Sequence, residues 1–221
     1  MNLRTRELGL ENERNDPEGF DGRLEKASGS AETLALRPAV FLDRDGVLNA
    51  ERSDFIKCPA ELKIFPFVGR SIARLNQAGY AVVVVSNQSG LARGLFSTED
   101  LAAMERKLRR NVDRAGGHIE GFYYCPHLPQ AGCQCRKPAP GMLLQAAREL
   151  RLDLARSFMI GDRPHDIQAG AEAGCRTVLV LTGRTSCADL KEFGVLPGAV
   201  CTTLASAVEG ILAGPFAGDR S

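Results

Sequence analysis

Acidic and hydroxyl side chains follow three apolar runs of the sequence at the point where each run ends. Asp43 and Asp45 follow the run AVFL, Ser86 follows VVVV, and Asp162 follows FMIG. Carboxylates that converge repel one another unless a cation neutralises them, and their oxygens favour hard ions such as Mg²⁺. Protein-bound Mg²⁺ commonly has few protein ligands and is shared with phosphate, so the set predicts a phosphorylated substrate. Taken singly, each of these residues could instead cap the following helix.

Lys137 is the candidate for the cation that faces a transferred phosphoryl group. It lies in the loop that follows the third predicted strand. A positive charge aimed at the charge that develops on a reacting phosphate stabilises the transition state. The alternative is an ordinary lysine in a solvated loop, where most lysines lie.

A second group of candidate ligands lies just before this lysine. Cys125, His127, Cys133 and Cys135 fall within eleven residues. Three thiolates and one imidazole form a closed tetrahedral set for zinc, which predicts a structural rather than a catalytic ion. Because Cys135 directly precedes an Arg-Lys pair, zinc here would fix the loop that presents both cations. The alternative is that three unrelated cysteines share one loop.

Short apolar runs alternate with amphipathic helical patterns from residue 38 onward, and this alternation positions the candidate residues. The predicted strands are Ala39–Leu42, Val82–Val85, Ile119–Tyr124, Phe158–Ile160, Thr177–Leu181 and Ala199–Thr202. Helical patterns follow at Val68–Leu75, Leu101–Val112, Met142–Leu150, about Asp166–Gly174 and Leu204–Leu212, the second after a Ser97/Asp100 capping box. Strands that are apolar throughout and separated by helices predict an α/β fold with a doubly wound, Rossmann-like parallel sheet. Ligands bind such sheets beyond the carboxyl ends of the strands.

Composition and charge exclude several classes of protein. The chain has 221 residues, 44% hydrophobic and 25% charged, as in an ordinary globular protein. A formal net charge of +1 without a long basic run argues against nucleic-acid partners. The apolar runs are too short to cross a membrane, so a small molecule is the expected partner.

Residues 1–37 differ in character from the rest of the chain. They carry both charge signs with little hydrophobic periodicity, which predicts an N-terminal extension, a mobile arm or surface-hugging segment, before one domain at residues 38–221. They lack the apolar stretch of a secretory signal, which favours a cytoplasmic location. The sequence leaves the oligomeric state open, with a monomer as the default. The scattered cysteines Cys58, Cys175, Cys187 and Cys201 are interpreted as small half-buried thiols.

Four segments resemble the motifs of the haloacid dehalogenase-type phosphatases in order and spacing. They are FLDRDGVLN at 41–49, VVSNQSG at 84–90, CRKP at 135–138 and MIGDRPHD at 159–166. The resemblance implies that Asp43 is a nucleophile that forms an aspartyl-phosphate, and that Asp45 is general acid and then base. It implies that Ser86 holds a phosphate oxygen and that Lys137 balances charge. It also implies a Mg²⁺ site formed by the Asp43 carboxylate, the Asp45 backbone carbonyl and Asp162.

The loop CPHLPQAGCQCRKP, together with SNQSGLARG, resembles a narrower group, the bacterial D-glycero-D-manno-heptose 1,7-bisphosphate phosphatases. This implies removal of the 7-phosphate from a sugar bisphosphate. The alternatives are the histidinol-phosphate phosphatases, which usually carry Asp where this chain has Ser89, and a nucleic-acid 3′-end phosphatase. The second phosphate of a bisphosphate needs cations, for which Arg136, with Arg52 or Arg93, is the candidate. The predicted substrate-binding residues are Arg44, Glu51, Arg52, Asn87, Gln88, Ser89, Arg93, Arg136 and Arg163.

The sequence departs from this narrower group at several positions. Ser86 stands where Thr is common, Arg163 stands where many heptose enzymes have Lys, and Glu51–Asp54 is consistent with a one-residue insertion. Only about 20 residues separate Asp45 from the next predicted helix, which leaves no room for a separate cap domain. We therefore expect an open site covered by loops.

Overall fold

The computed structural model describes residues 35–186, 194–214 and 216. The strands are β1 (Arg37–Leu42), β2 (Ala81–Asn87), β3 (Gly121–Cys125), β4 (Leu152–Gly161), β5 (Arg176–Val180) and β6 (Ala199–Cys201). The helices are α1 (Val68–Gln77), α2 (Thr98–Asp113), α3 (Gly141–Leu150), α4 (Pro164–Glu172) and α5 (Leu204–Ala213), with a 3₁₀ turn at Pro129–Ala131. Most of the predicted N-terminal extension, and Cys187, lie outside the described residues.

All six strands are parallel and form one sheet in the order β3-β2-β1-β4-β5-β6. The chain adds β2 and β3 on one side of β1 and then β4, β5 and β6 on the other side, so the direction of winding reverses next to β1. Such a reversal places a crevice at the carboxyl end of β1. The predicted doubly wound parallel sheet is confirmed. Over the described residues, no separate cap domain covers this edge, and no helix is long and apolar enough to cross a membrane.

Alternate residues of the strands enter two separate hydrophobic layers. In β1, Val40 and Leu42 pack with α1, α2 and α5, whereas Ala39 and Phe41 pack with α3 and α4 on the opposite face. Side chains alternate between faces along a strand, so a strand covered on both sides must be apolar at every position. This requirement explains the uninterrupted apolar runs of the sequence.

The ends of the elements agree with local sequence preferences. The Ser97 hydroxyl accepts the Asp100 N–H at 3.1 Å, and the Asp100 carboxylate accepts the Ser97 N–H at 2.9 Å, which confirms the capping box. Helix α4 begins at Pro164, two residues before the predicted start, because proline fits the first turn of a helix. Strand β4 begins at Leu152, six residues early, because its first half pairs with the start of β1.

Candidate active site

A pocket of about 310 Å³ opens at the carboxyl ends of β1 and β2 and the start of α4. Every predicted catalytic or substrate-binding residue lies in its lining: Asp43, Arg44, Asp45, Glu51, Arg52, Ser86, Asn87, Gln88, Ser89, Arg93, Arg136, Lys137 and Arg163. The lining also contains residues to which the sequence motifs gave no role: Ser53, Phe55, Ile56, Pro129, His165, Asp166 and Arg184. Asp162 is fully buried and does not belong to the lining.

Lys137 is buried at the floor of this pocket, with 3% of its surface exposed. Its Nζ donates to Asp43 Oδ1 at 2.7 Å and to the Val85 carbonyl at 2.8 Å, and it lies 2.6 Å from Asp166 Oδ1. Burial alone would lower the pKa of Lys137, but the charges of Asp166 and Asp43 raise it above its usual value. Lys137 is therefore a fixed cation against the predicted nucleophile, and the solvated-loop alternative is wrong.

Asp43, Asp162 and Asp166 form a buried carboxylate cluster whose ligand atoms all lie within 4.8 Å of one another. Burial, with the neighbouring carboxylates, raises the pKa of Asp162 to about 8 and that of Asp43 to about 6. Burial is the larger cause of both shifts, and it outweighs the opposing charges of Lys137 on Asp43 and of Arg163, whose Nε approaches Asp162 Oδ2 to 3.8 Å. Lys137 pairs with two of the three carboxylates, Asp43 and Asp166, so the cluster with all three ionised carries about two negative charges, which suits a divalent cation.

The free oxygens of this cluster indicate where such a cation would bind. Asp166 uses one oxygen for Lys137 and the other for the Arg163 N–H at 3.1 Å. Asp162 Oδ2 accepts the Arg184 N–H at 3.2 Å, whereas Asp162 Oδ1 is buried without a hydrogen-bond partner among the described residues. Hard carboxylate oxygens at Asp43 and Asp162 thus fit Mg²⁺. Both residues are ligands predicted from the sequence, and the Asp45 backbone carbonyl stays a prediction.

Asp166 is the residue of this centre that was not predicted from the sequence. Asp166 is the third residue of α4. It packs directly against Gly161, where an added Cβ would lie 2.1 Å from the Cβ of Asp166. Asp166 is the last residue of the motif MIGDRPHD, but an Asp near the start of a helix commonly serves as a cap. Asp166 does cap α4, since its carboxylate accepts the Arg163 N–H. Nothing in the sequence alone shows that its second oxygen faces Lys137.

Asp45 is held as a carboxylate by three neighbours. Its carboxylate accepts hydrogen bonds from Arg44 Nη2 at 2.8 Å, from Asn49 Nδ2 at 2.8 Å and from Gln88 Nε2 at 3.0 Å. Burial alone would raise the pKa of Asp45, but the Arg44 charge and these hydrogen bonds lower it below its usual value. The resting form can accept a proton from water, while the same contacts disfavour the protonated form that a general acid requires.

Several side chains predicted to bind substrate are engaged with the protein. Asn87 donates to the Lys137 carbonyl at 3.0 Å and accepts its N–H at 3.1 Å, which ties β2 to the lysine loop. Gln88 Nε2 donates to Ser86 Oγ at 3.1 Å as well as to Asp45. These contacts give Asn87 and Gln88 a positioning role, and their direct contact with substrate stays a prediction.

Charged residues surround the pocket mouth. Arg52 forms a bidentate pair with Asp54 at 2.9 and 3.0 Å, and Arg163 pairs with Glu51. Both of these arginines already have acidic partners, so a substrate phosphate would share or displace existing ion pairs. Two further cations of the mouth are held differently. The Arg93 guanidinium lies 5.9 Å from the centre of an aromatic ring in the lining, and Arg136 Nη1 donates to the His127 carbonyl at 3.2 Å.

The four predicted zinc ligands converge in the loop after β3. Sγ atoms of Cys125, Cys133 and Cys135 lie 3.4 to 3.6 Å apart, and His127 Nδ1 lies 3.2 Å from Cys135 Sγ and 3.6 Å from Cys125 Sγ. Ligands around a tetrahedral zinc ion with bonds of ~2.0–2.3 Å are separated by about 3.7 Å, so the set has nearly the required size. Burial raises the pKa of the Cys125 thiol to about 12, so a thiolate there needs a cation. The fold brings the four side chains together and the cluster fits zinc, while a bound zinc ion stays a prediction.

A parallel sheet of this topology, with its carboxylate and lysine centre at the end of the first strand, defines the class of haloacid dehalogenase-like phosphatases. The family model described as HAD-hydrolase-like matches residues 134–207. The D-glycero-beta-D-manno-heptose-1,7-bisphosphate 7-phosphatase of Bordetella bronchiseptica is 44% identical over 174 residues, covering 78% of this chain and 97% of that protein. The protein of the same name from Pseudomonas aeruginosa is 44% identical over 148 residues, covering 67% and 83% respectively.

A solved structure shows the same relationship. The crystal structure of the D,D-heptose 1,7-bisphosphate phosphatase from B. bronchiseptica, complexed with magnesium and phosphate, gives a TM-score of 0.75 at 44% identity. The match covers 80% of this chain and 98% of that one. The chain therefore belongs to the haloacid dehalogenase-like phosphatase family that includes these heptose bisphosphate phosphatases, and the resemblance stated from the motifs is confirmed.

Proposed function

We propose that this chain is a Mg²⁺-dependent phosphatase that removes the 7-phosphate of D-glycero-β-D-manno-heptose 1,7-bisphosphate. The observation that carries the proposal is the buried Asp43–Lys137 pair at the floor of a pocket with arginines around its mouth. The substrate is supported by the names of the relatives, which match the chain over most of its described length. The β anomer is also taken from those names.

Asp43 is proposed as the nucleophile. Its carboxylate forms a bond to phosphorus while the bond from phosphorus to the sugar oxygen breaks, giving an aspartyl-phosphate. Lys137, already held on Asp43 Oδ1, keeps that oxygen in place and offsets negative charge on the transferred group. A divalent cation bound by Asp43 and Asp162 would neutralise phosphate oxygens in the same place.

Asp45 is proposed to move the protons. It donates a proton to the departing sugar oxygen in the first step and accepts one from the water that hydrolyses the aspartyl-phosphate in the second. Donation requires the protonated form, so the Arg44 and Gln88 contacts with Asp45 must weaken when substrate binds. The Ser86 hydroxyl is proposed to donate to a phosphate oxygen during both steps.

The second phosphate of the substrate would bind near the pocket mouth. Arg136, with Arg52, Arg93 and Arg163, supplies cations at that level, above the buried lysine. Histidinol phosphate carries a cationic amine, which would meet these guanidinium groups unfavourably. The charge of the mouth therefore favours a bisphosphate, even though Glu51 neutralises part of it.

The cysteine and histidine cluster is proposed to hold a structural zinc ion. Four protein ligands would leave the metal no open position for substrate or water. Cys135 directly precedes Arg136 and Lys137, so the metal would restrict the loop that carries both cations into the pocket.

A phosphate-release assay with Mg²⁺ tests the proposal. The panel contains both anomers of the heptose bisphosphate, histidinol phosphate and a 3′-phosphorylated oligonucleotide. We expect the highest kcat/KM for the β anomer, with one phosphate released and the 1-phosphate retained. Asp43→Asn should abolish release while remaining folded by circular dichroism, since an amide cannot form the acyl-phosphate usefully. A preference for histidinol phosphate, or substantial activity of Asp43→Asn, would contradict it.

A further inference from the structure

The loop after β5 contacts the metal end of the site, although no recognised motif includes it. The Thr182 hydroxyl donates to the Gly46 carbonyl, and the Arg184 N–H donates to Asp162 Oδ2. A Cβ on Gly183 would lie 1.9 Å from the Asp162 carboxylate, so the backbone passes directly against it. This loop is therefore packed on the carboxylate that is proposed to bind Mg²⁺.

The side chain of Arg184 contacts residues 51 and 52, which also line the pocket. Its Nε forms an ion pair with Glu51 Oε2 at 2.9 Å, and its Nη2 donates to the Arg52 carbonyl at 3.3 Å. Glu51 pairs with Arg163 through its other oxygen. One carboxylate thus joins two arginines, one on the loop after β4 and one on the loop after β5.

Residues 51–56, here called the substrate loop, supply several residues of the pocket lining. They carry no helix or strand of their own, so contacts with neighbouring loops fix their position. We infer that Arg184 is a positioning residue, which holds the substrate loop against the ends of β4 and β5 through Glu51 and the Arg52 carbonyl. This inference rests on the proposed function, because it assigns the loop to recognition of the same substrate.

A positioning role predicts an effect on substrate binding more than on chemistry. Without Arg184 the substrate loop must be ordered when substrate binds, and that cost raises KM. The nucleophile and the lysine are held by other contacts, so kcat should change little. The Mg²⁺ requirement should also be unchanged, because Arg184 reaches Asp162 through its backbone N–H, which any replacement except proline retains.

The test compares Arg184→Ala with Arg156→Ala. Arg156 is a matched control, since it pairs with Asp153 at 2.7 Å, donates to the Leu36 carbonyl at 2.6 Å and is 57% exposed, against 52% for Arg184. For heptose bisphosphate we expect Arg184→Ala to raise KM on the order of 10-fold, with kcat within about twofold. The melting temperatures of both variants should stay within about 3 °C of the parent, because both arginine side chains are more than half exposed and ion pairs of such residues add little stability.

Two further variants show whether Arg184 acts through the loop. Arg184→Lys should give a KM between those of the parent and Arg184→Ala. An ammonium can pair with Glu51, but it lacks the fork geometry that also reaches the Arg52 carbonyl. Arg184→Ala should raise KM by a smaller factor in the Glu51→Gln background than in the parent, because the ion pair with Glu51 is already lost there. Fully additive effects, or an unchanged KM in Arg184→Ala, would overturn the inference. A parent protein that does not hydrolyse the bisphosphate would instead overturn the proposed function.

Discussion

Replacing Lys137 by methionine removes the cation of the buried centre while keeping a side chain of similar length. Its Nζ contacts Asp43, Asp166 and the Val85 carbonyl, and all three acceptors belong to buried residues. Removing one partner of a buried ion pair typically costs about 3–5 kcal/mol, because the remaining charge is left uncompensated. For a domain of this size each kcal/mol shifts the melting temperature by about 2–4 °C, so a fall of roughly 6–20 °C is expected.

The assay is thermal and urea denaturation in EDTA at pH 7.5, followed by phosphate release with Mg²⁺ restored. Lys107→Met is the control, since Lys107 Nζ donates to the Pro59 and Leu62 carbonyls at 2.6 and 2.8 Å without facing the carboxylate cluster. The control should lose some stability but retain kcat. Lys137→Met should lose activity by about 10²-fold or more, as expected when a preorganised charge is removed from a reacting centre.

The pH dependence and the Mg²⁺ dependence of the stability of Lys137→Met test the role of the lysine further. The destabilisation of Lys137→Met should shrink as pH falls, because protonation of Asp43 removes the uncompensated charge; since Lys137 lowers the pKa of Asp43, its loss raises that pKa above the parent's value of about 6. Added Mg²⁺ should stabilise the variant as well, because the same carboxylates are its proposed ligands. If Lys137→Met melts within about 2 °C of the parent in EDTA, the carboxylate cluster does not carry the excess negative charge that its geometry implies.

Three other perturbations test the remaining parts of the site. In the metal-free protein the pKa of Asp43 is about 6 and that of Asp162 is about 8, so between about pH 4 and 8 the folded chain holds protons that the unfolded chain has lost. The free energy of unfolding should therefore fall as pH rises through this range. The melting-temperature gain on adding Mg²⁺ should therefore be larger at pH 8 than at pH 5; an equal gain would contradict this. Arg136→Ala should raise KM for a bisphosphate more than for a monophosphate, and equal changes would assign Arg136 to the reacting phosphate. Cys133→Ser should lower the zinc content from about one per chain and reduce melting temperature and activity; full activity without zinc would exclude the anchoring role.

The strands and helices could be predicted because each depends on a local pattern. Strand β2 is apolar at every position before Ser86, and the capping box at Ser97 fixes the start of α2. The first half of β4 could not be predicted, because residues 152–157 become a strand through pairing with Arg37 and Pro38, far away in the sequence. Local propensity does not contain that information.

The candidate site was predicted where residue type and strand position were sufficient. Asp43 and Lys137 could be placed together because strand ends of a parallel sheet converge at one edge. Asp166 and Arg184 could not, because their roles depend on which way a side chain points from a helix start or a loop. The hydrogen bonds between the Asn87 amide and the backbone of Lys137 could not be predicted either, and contact of Asn87 with substrate stays a prediction.

The loop that carries Lys137 is fixed on three sides, and this explains how one lysine can serve a buried carboxylate centre. Asn87 holds its backbone from β2, the neighbouring Cys135 belongs to the proposed zinc cluster, and the Gly141 N–H at the start of α3 donates to the Gln134 carbonyl at 3.1 Å. The position of the cation is therefore set before any ligand binds, so no reorganisation is needed during the reaction. When all three carboxylates are ionised, one fixed positive charge leaves about two negative charges on the cluster, which a divalent ion would neutralise. With such an ion bound the floor would be close to neutral, and a phosphate dianion would approach Asp43 without strong repulsion.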